Sequence, residues 1–374
     1  MNFFHRIGLL AARYRYAVMT VWAVLLLGAV PFAPQLPGAL KSGGFTLNDL
    51  EASRADQALA ALGVPPSAMV ILLQSTTDSR AGDPQFETAV AQAIANVPVA
   101  QHVSGVLTHV LAPRQVSADG KTVYEIVTLD LSPDDSPAAL QPVENAITPQ
   151  PGLRILLAGG PAFYGDIQVL SENDLRRSEF ISLPLAALAL LLVFGSVVAA
   201  GVPIVVGGTA VVVALGALFF IAQLTALSIF VLNLATLLGL GLGVDYALLL
   251  TSRFREELRG RGGGRLPTGK VDQNLVNEAV AATVATAGRA VFFSGLTVLL
   301  GLTGLVLFEF MVLRSVGIAG AAVVGLAVAS AVTLLPAVLA TLGPRIDAYP
   351  IKLRERLARR IGLPIGPPAR EGEG

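Results

Sequence analysis

Apolar and polar positions along this chain fall into long blocks rather than a fine alternation. Residues 180–244 carry no charged side chain, and the next two residues are Asp245 and Tyr246. An uncharged run of 65 residues is too long for one membrane crossing and suits three of about 20 residues each. A first apolar run lies between Arg15 and Lys41, with its core at Ala17 to Val30. A cleavable signal peptide is the competing interpretation, because Arg13 and Arg15 precede that run and small residues follow it. Its continuation through Phe32 and Leu36 makes it long enough to span. Gly201-Val202-Pro203 predicts a break between a second span (about 180–200) and a third (about 203–222). Gln223 and Thr225 separate the third from a fourth (about 226–252). A fifth span is expected between Arg289 and Glu309, and a sixth between Arg314 and Arg345.

Six spans put both termini on one side, and basic residues identify that side as cytoplasmic. Arg6, Arg13 and Arg15 precede the first span. Arg253, Arg255, Arg259, Arg261, Arg265 and Lys270 follow the fourth. Arg345, Lys352, Arg354, Arg356, Arg359 and Arg360 follow the sixth. The chain thus divides into a cytoplasmic start and first span (1–37), an extracytoplasmic domain (38–178), a bundle of the second to sixth spans (179–344) with a cytoplasmic loop at 253–289, and a basic tail (345–374). Lys352 to Arg360 interleave with Leu353, Leu357 and Ile361, the pattern of an interfacial amphipathic helix. From Pro364 the Pro- and Gly-rich composition predicts disorder.

The one large polar segment reads as alternating strands and helices. Strands are expected at about 68–75, 103–110, 122–131 and 153–157, with helices at about 84–96 and 137–147. The order βαββαβ is the ferredoxin-like split arrangement. A further helix from Phe45 to Leu62, capped by Asn48 or Asp49, is expected to precede it. Ser171 to Ser178 is charged, reads as helical and runs straight into the second span.

Composition narrows the chemistry. Charged residues make up 14% of the chain, against about 25% in soluble domains, and the deficit is regional. The net charge is zero, so no bulk electrostatic attraction to nucleic acid is suggested. The chain has no cysteine, which rules out disulfides and thiolate metal sites. His5, His102 and His109 lie outside the apolar runs, which excludes a histidine relay inside the membrane. Gly262-Gly263-Gly264 lacks the lysine and hydroxyl of a phosphate loop and reads as a linker. No cofactor, metal cluster or nucleophile constellation is expected.

The chemically specific stretch is Asn233 to Tyr246, NLATLLGLGLGVDY. An aspartate at bilayer depth costs about 2.5–3.5 kcal/mol on insertion scales, and such residues usually carry function. Gly239, Gly241 and Gly243 remove bulk beside it and let a neighbouring helix come close. Asn233 adds an amide on roughly the same surface. A dry contact there would favour the protonated carboxyl, and Tyr246 can donate to the charged form. The alternative is that Asp245 only joins helices together.

Three segments carry a family resemblance. GLGVDYALLLTSRFREEL (Gly241 to Leu258) resembles the fourth-span signature of the mycobacterial membrane protein large family, within the resistance–nodulation–division (RND) superfamily. GRAVFFSGLT (Gly288 to Thr297) is similar to its fifth-span signature. Gly159-Gly160-Pro161-Ala162, followed by Asp166, resembles the end of its porter domain. The resemblance implies a proton-driven exporter of lipids or other hydrophobic molecules, with protons as coupling ion and an Asp–Tyr proton site at Asp245 and Tyr246. Ser294 would stand near that site from the fifth span, as a relay member or as a packing residue. Arg289 is expected as an interfacial anchor at the start of that span. Family members usually carry two such repeats; this chain carries one six-span repeat with its extracytoplasmic domain. The expected partners are therefore membrane lipids, a hydrophobic substrate and a second copy or paralogous half. A SecF-like protein-export accessory subunit and a non-transporting lipid- or sterol-sensing module are the rival functions.

Overall fold

The computed structural model describes residues 3–41, 51–262 and 272–350. Among these, six helical segments are long and apolar enough to cross a membrane: Arg15–Ala39, Gly160–Phe194, Val197–Leu224, Phe230–Arg261, Gln273–Leu307 and Met311–Asp347. With one small antiparallel sheet between the first and second of them, the chain is a largely helical, multi-pass membrane protein. The third, fourth and sixth spans form the centre, with 44%, 44% and 56% of their apolar stretches buried. The first, second and fifth have 11% buried and lie at the periphery.

The break between second and third spans differs from the sequence expectation. Gly201-Val202-Pro203 lies inside the third helix. The chain turns instead at Gly195, whose φ of +65° is the left-handed conformation that ends a helix cheaply. Ser196 then caps the next helix by accepting from the Ala199 amide, and its hydroxyl lies within hydrogen-bonding distance of the carbonyls of Ile346 and Ala348. With that turn fixed, Pro203 falls in the second turn of a helix whose neighbours tolerate the missing N–H. The second span also starts earlier than expected. One 35-residue helix begins at Gly160 and runs to Phe194, so the segment 171–178 continues the span without interruption. Gly159 precedes it at φ +100°, where a Cβ would stand 3.3 Å from the Met69 Cα.

The domain between the first two spans holds strands β1 (Ser67–Ser75), β2 (Val103–Leu107), β3 (Thr122–Leu129) and β4 (Leu153–Ala158). The sheet order is β2-β3-β1-β4, every neighbouring pair antiparallel. Helices Pro84–Ile94 and Leu140–Ala146 occupy the two crossovers. Alternation fixes which face is buried. Met69, Ile71 and Leu73 of β1 and Val123, Val127 and Leu129 of β3 pack with Phe86, Val90 and Val143 of the helices. One helix, Glu51–Ala61, precedes the sheet. The expected cap at Asn48 or Asp49, the tail helix at 352–361 and most of the Gly262–Gly264 linker lie outside the described residues.

Lys41, at the exit of the first span, stitches three parts together. Its amide donates to the Leu227 carbonyl at 2.8 Å and its carbonyl accepts from Ile229 at 2.9 Å. Ser228, between them, donates its amide to the Ser315 hydroxyl of the sixth span at 3.0 Å. The Lys41 ammonium pairs with Asp135 of the sheet domain.

A short helix, Phe3–Arg13, lies against the start of the fifth span, with Gly8 tight against Ala281 and Val284. The hydropathy pattern alone assigned this segment no structure. Both the fifth and the sixth spans contain one wide turn, at Val284–Gly288 and Ser330–Leu334. Such turns insert an extra residue and often accompany functional sites. Arg289 follows the first of these, opens the apolar helix Arg289–Gly304 and is exposed.

Candidate functional site

The fourth span, Phe230–Arg261, positions the site. Its inner surface carries Ala235, Gly239, Gly243, Tyr246, Ala247 and Leu250, all buried. Its outer surface carries Leu237, Gly241, Asp245 and Leu249, all exposed and each four residues from the next. Four-residue spacing places these on one lateral stripe. Asp245 is therefore near the middle of the helix Phe230–Arg261 and on the free side of the isolated chain.

The three glycines divide between these surfaces. A Cβ on Gly243 would lie 2.9 Å from the Gly207 Cα of the third span. One on Gly239 would lie 2.7 Å from Val211 and 3.0 Å from Val323. A Cβ on Gly241 would meet nothing within 4 Å. Gly239 and Gly243 thus seat the span in its own bundle, whereas Gly241 flanks Asp245 on the open stripe.

Tyr246 is 7% exposed and points the other way. One residue turns a helix by about 100°, which separates its side chain from that of Asp245. Its hydroxyl is fully buried and has no hydrogen-bond partner among the described residues. It lies against the fifth span, where a Cβ on Gly295 would stand 3.6 Å from it. Ser294 is the polar side chain beside it, and is exposed. Asn233 lies twelve residues before Asp245, about 18 Å along the axis, and is half-buried. The structure brings Tyr246 together with Ser294, leaves Asp245 on the free stripe and does not bring Asn233 to it.

A groove of about 300 Å³ runs between the second and fourth spans beside the third. Glu179, Ser182 and Thr236 line it together with Leu240, Gly241 and Asp245. Glu179 was not singled out from sequence. The signal was present: Glu179 is the last charged residue before the uncharged run, and Asp245 is the first after it. The two carboxylates that bracket 180–244 in sequence line one groove in space. Phe194 and Arg255 mark one end of the bundle, the arginine donating to the Phe194 carbonyl at 3.0 Å. Asp245 sits ten residues, or about 15 Å of helix, away from that level. Among the described residues no group of three or more histidine or carboxylate side chains is arranged to hold a metal ion.

The chain matches the family model described as "MMPL family" over residues 49–362. It is 34% identical over 356 residues to the putative membrane protein SCO6666 of Streptomyces coelicolor, covering 94% of this chain and 48% of that protein. It is 31% identical over 358 residues to the trehalose monomycolate exporter MmpL3 of Mycobacterium tuberculosis, covering 91% of this chain and 36% of that protein. It is 30% identical over 346 residues to the mycolic acid-containing lipids exporter MmpL11 of Mycolicibacterium smegmatis, covering 88% and 34%. The chain spans about a third to a half of the length of these relatives.

Proposed function

The chain belongs to the MMPL family, and on that footing we propose that it exports lipids or other hydrophobic molecules across the cytoplasmic membrane, driven by the proton-motive force. It is a secondary transporter, not an enzyme. Asp245 is the residue that binds and releases the coupling proton. The observation that carries this is its position: a carboxylate midway along an apolar span, lining a groove that also holds Glu179. A charge crossing the membrane potential is worth about 2.3 kcal/mol per 100 mV, so one cycling carboxylate can energise transport. Ser294 and Tyr246 tune the site from the fifth and fourth spans.

The sheet domain lies outside the cytoplasm and is the porter unit through which substrate leaves. Its βαββαβ order with strands arranged β2-β3-β1-β4 supports a ferredoxin-like assignment. Both termini are cytoplasmic, in keeping with the basic clusters after the fourth span and around the chain ends. The working unit is a pair of six-span repeats, either two copies of this chain or this chain with a paralogous half. The lateral stripe of Leu237, Gly241, Asp245 and Leu249 supports pairing, since an aspartate left facing hydrocarbon has no partner.

The test is transport in reconstituted vesicles with an imposed pH gradient, assayed with a fluorescent lipid. Asp245→Asn is expected to abolish gradient-driven export while leaving expression and melting temperature unchanged. Export by the Asn variant at the wild-type rate would reject Asp245 as the coupling residue.

A further inference from the structure

The second titratable cluster of the molecule lies outside the membrane spans, in the core of the sheet domain. Glu125 belongs to the inward face of β3, between Val123 and Val127, and is 0% exposed. His109, in the loop that follows β2, is 6% exposed. The His109 Nδ1 lies 2.5 Å from Glu125 Oε1, and the His109 amide donates to Glu125 Oε2 at 2.8 Å. On the opposite side of the ring, Nε2 lies 3.0 Å from Glu87 Oε2. The second oxygen of Glu87 accepts from the Gly82 amide at 2.8 Å.

Both ring nitrogens therefore face carboxylate oxygens at hydrogen-bonding distance. Each of those contacts needs a proton between its atoms, and a neutral imidazole carries one. A second proton must be present, on the ring or on a carboxyl. We infer that the sheet domain binds a proton of its own, shared among Glu87, His109 and Glu125, and that this proton fastens the 108–116 loop to the sheet and to helix Pro84–Ile94.

The surroundings agree with a proton held here. No basic side chain competes for the carboxylates among the described residues. Lys121, just before β3, pairs with Asp78 at 3.0 Å. The Arg80 stem packs on Gly120, and Arg114, in the loop itself, makes no ion pair with any of the described residues. Among the described residues, the charged groups acting on Glu125 are His109 and Glu87. Burial pushes its carboxyl above the usual carboxylate range, and the hydrogen bonds from His109 oppose that rise. The proton belongs to the cluster rather than to one residue.

The loop walls a surface cleft of about 590 Å³ lined by Gly82, Glu87, His109, Val110, Pro113 and Val116. Opening the loop separates the three groups and replaces the contacts that share the proton with contacts to water. The closed loop binds more protons than the open one, so closure is favoured at low pH and weakens as pH rises. The limit for one proton is tenfold per pH unit.

Hydrogen exchange of the full chain in lipid nanodiscs tests this, with amide rates corrected for intrinsic pH dependence. Protection of the 108–116 segment should fall as pH rises, by at most tenfold per unit. Glu87→Gln removes the need for the second proton, because the amide can donate to Nε2 while Nδ1–H donates to Glu125. That variant should keep the loop protected and lose the pH slope. Wild-type protection that does not change with pH, or a slope that survives in Glu87→Gln, would overturn the inference. Neither result depends on transport.

Discussion

Gly207 of the third span and Gly243 of the fourth meet backbone to backbone: a Cβ on Gly243 would lie 2.9 Å from the Gly207 Cα, and one on Gly207 would lie 3.2 Å from the Gly243 carbonyl carbon. Two opposing effects bear on a side chain there. Replacing a helical glycine by alanine gains about 1 kcal/mol of propensity, whereas forcing extra atoms into a packed contact costs about 1–3 kcal/mol. The obstacle here is main chain, which has no rotamer to escape into, so the cost wins. Gly243→Val is expected to lower the melting temperature of the purified protein by several degrees. An unchanged melting curve would mean that these spans separate readily.

Much of this architecture was legible in the sequence. Blocks of uncharged residues located the six spans, and period-two alternation located the strands to within a few residues. The break at Gly195 was missed because Gly201-Val202-Pro203 is the stronger turn signal by composition, whereas the real turn is set by a positive φ and a serine cap. Asp245 stood out as a charge in an apolar run. The opposite orientation of Tyr246 did not, since it depends on how the helix is rotated against the third and fifth spans. The cluster around Glu125 left a faint trace: a carboxylate at an inward position of the Val123–Val127 alternation. Its partners Glu87 and His109 lie 38 and 16 residues away in number, and only the folded sheet brings them together.

Tyr246 should prove dispensable for folding. Its hydroxyl is buried, with the exposed Ser294 hydroxyl as the polar group beside it and no well-formed hydrogen bond, so removing it exposes no strong partner and costs little. Tyr246→Phe is expected to melt close to the wild-type temperature while transporting more slowly and with a shifted pH optimum. A destabilised Phe variant would reveal a hydrogen bond that the isolated chain does not make.

The Lys41–Asp135 pair joins membrane to domain. The Lys41 hydrogen bond is the main reason the Asp135 carboxyl sits below its ordinary range. A depressed carboxylate stabilises the fold above its unfolded value, near 3.9, and that contribution disappears as pH falls through the lower folded value. Both side chains are more than a third exposed, so the coupling should be no more than about 1 kcal/mol. A double-mutant cycle with Lys41→Met and Asp135→Asn should find it near neutral pH and lose it once the pH is low enough to protonate the depressed Asp135 carboxyl. The backbone bonds of Lys41 survive these changes. Equal coupling at both pH values would mean the pair acts through packing.

Pairing of two repeats makes its sharpest demand at Gly241. In the isolated chain this position is open, with nothing within 4 Å of the point where a Cβ would stand. Leu237 at 59% and Leu249 at 45% exposure bracket it and Asp245 on the same stripe. If two copies bring their fourth spans together about a two-fold axis normal to the membrane, the same stripe serves both sides, and residue 241 faces its own counterpart. The chain contains no cysteine, so a single introduced thiol reports one contact. Gly241→Cys should form an inter-chain disulfide when membranes are oxidised, because small residues let the helices approach within bridging distance. Gly239→Cys, whose Cβ would point at Val211 and Val323, should not. A paralogous half would instead be trapped by Gly241→Cys only when its own matching residue is also cysteine. A protein that stays monomeric, fails to crosslink at 241 and still transports would disprove the paired arrangement and leave Asp245 facing lipid in the working state.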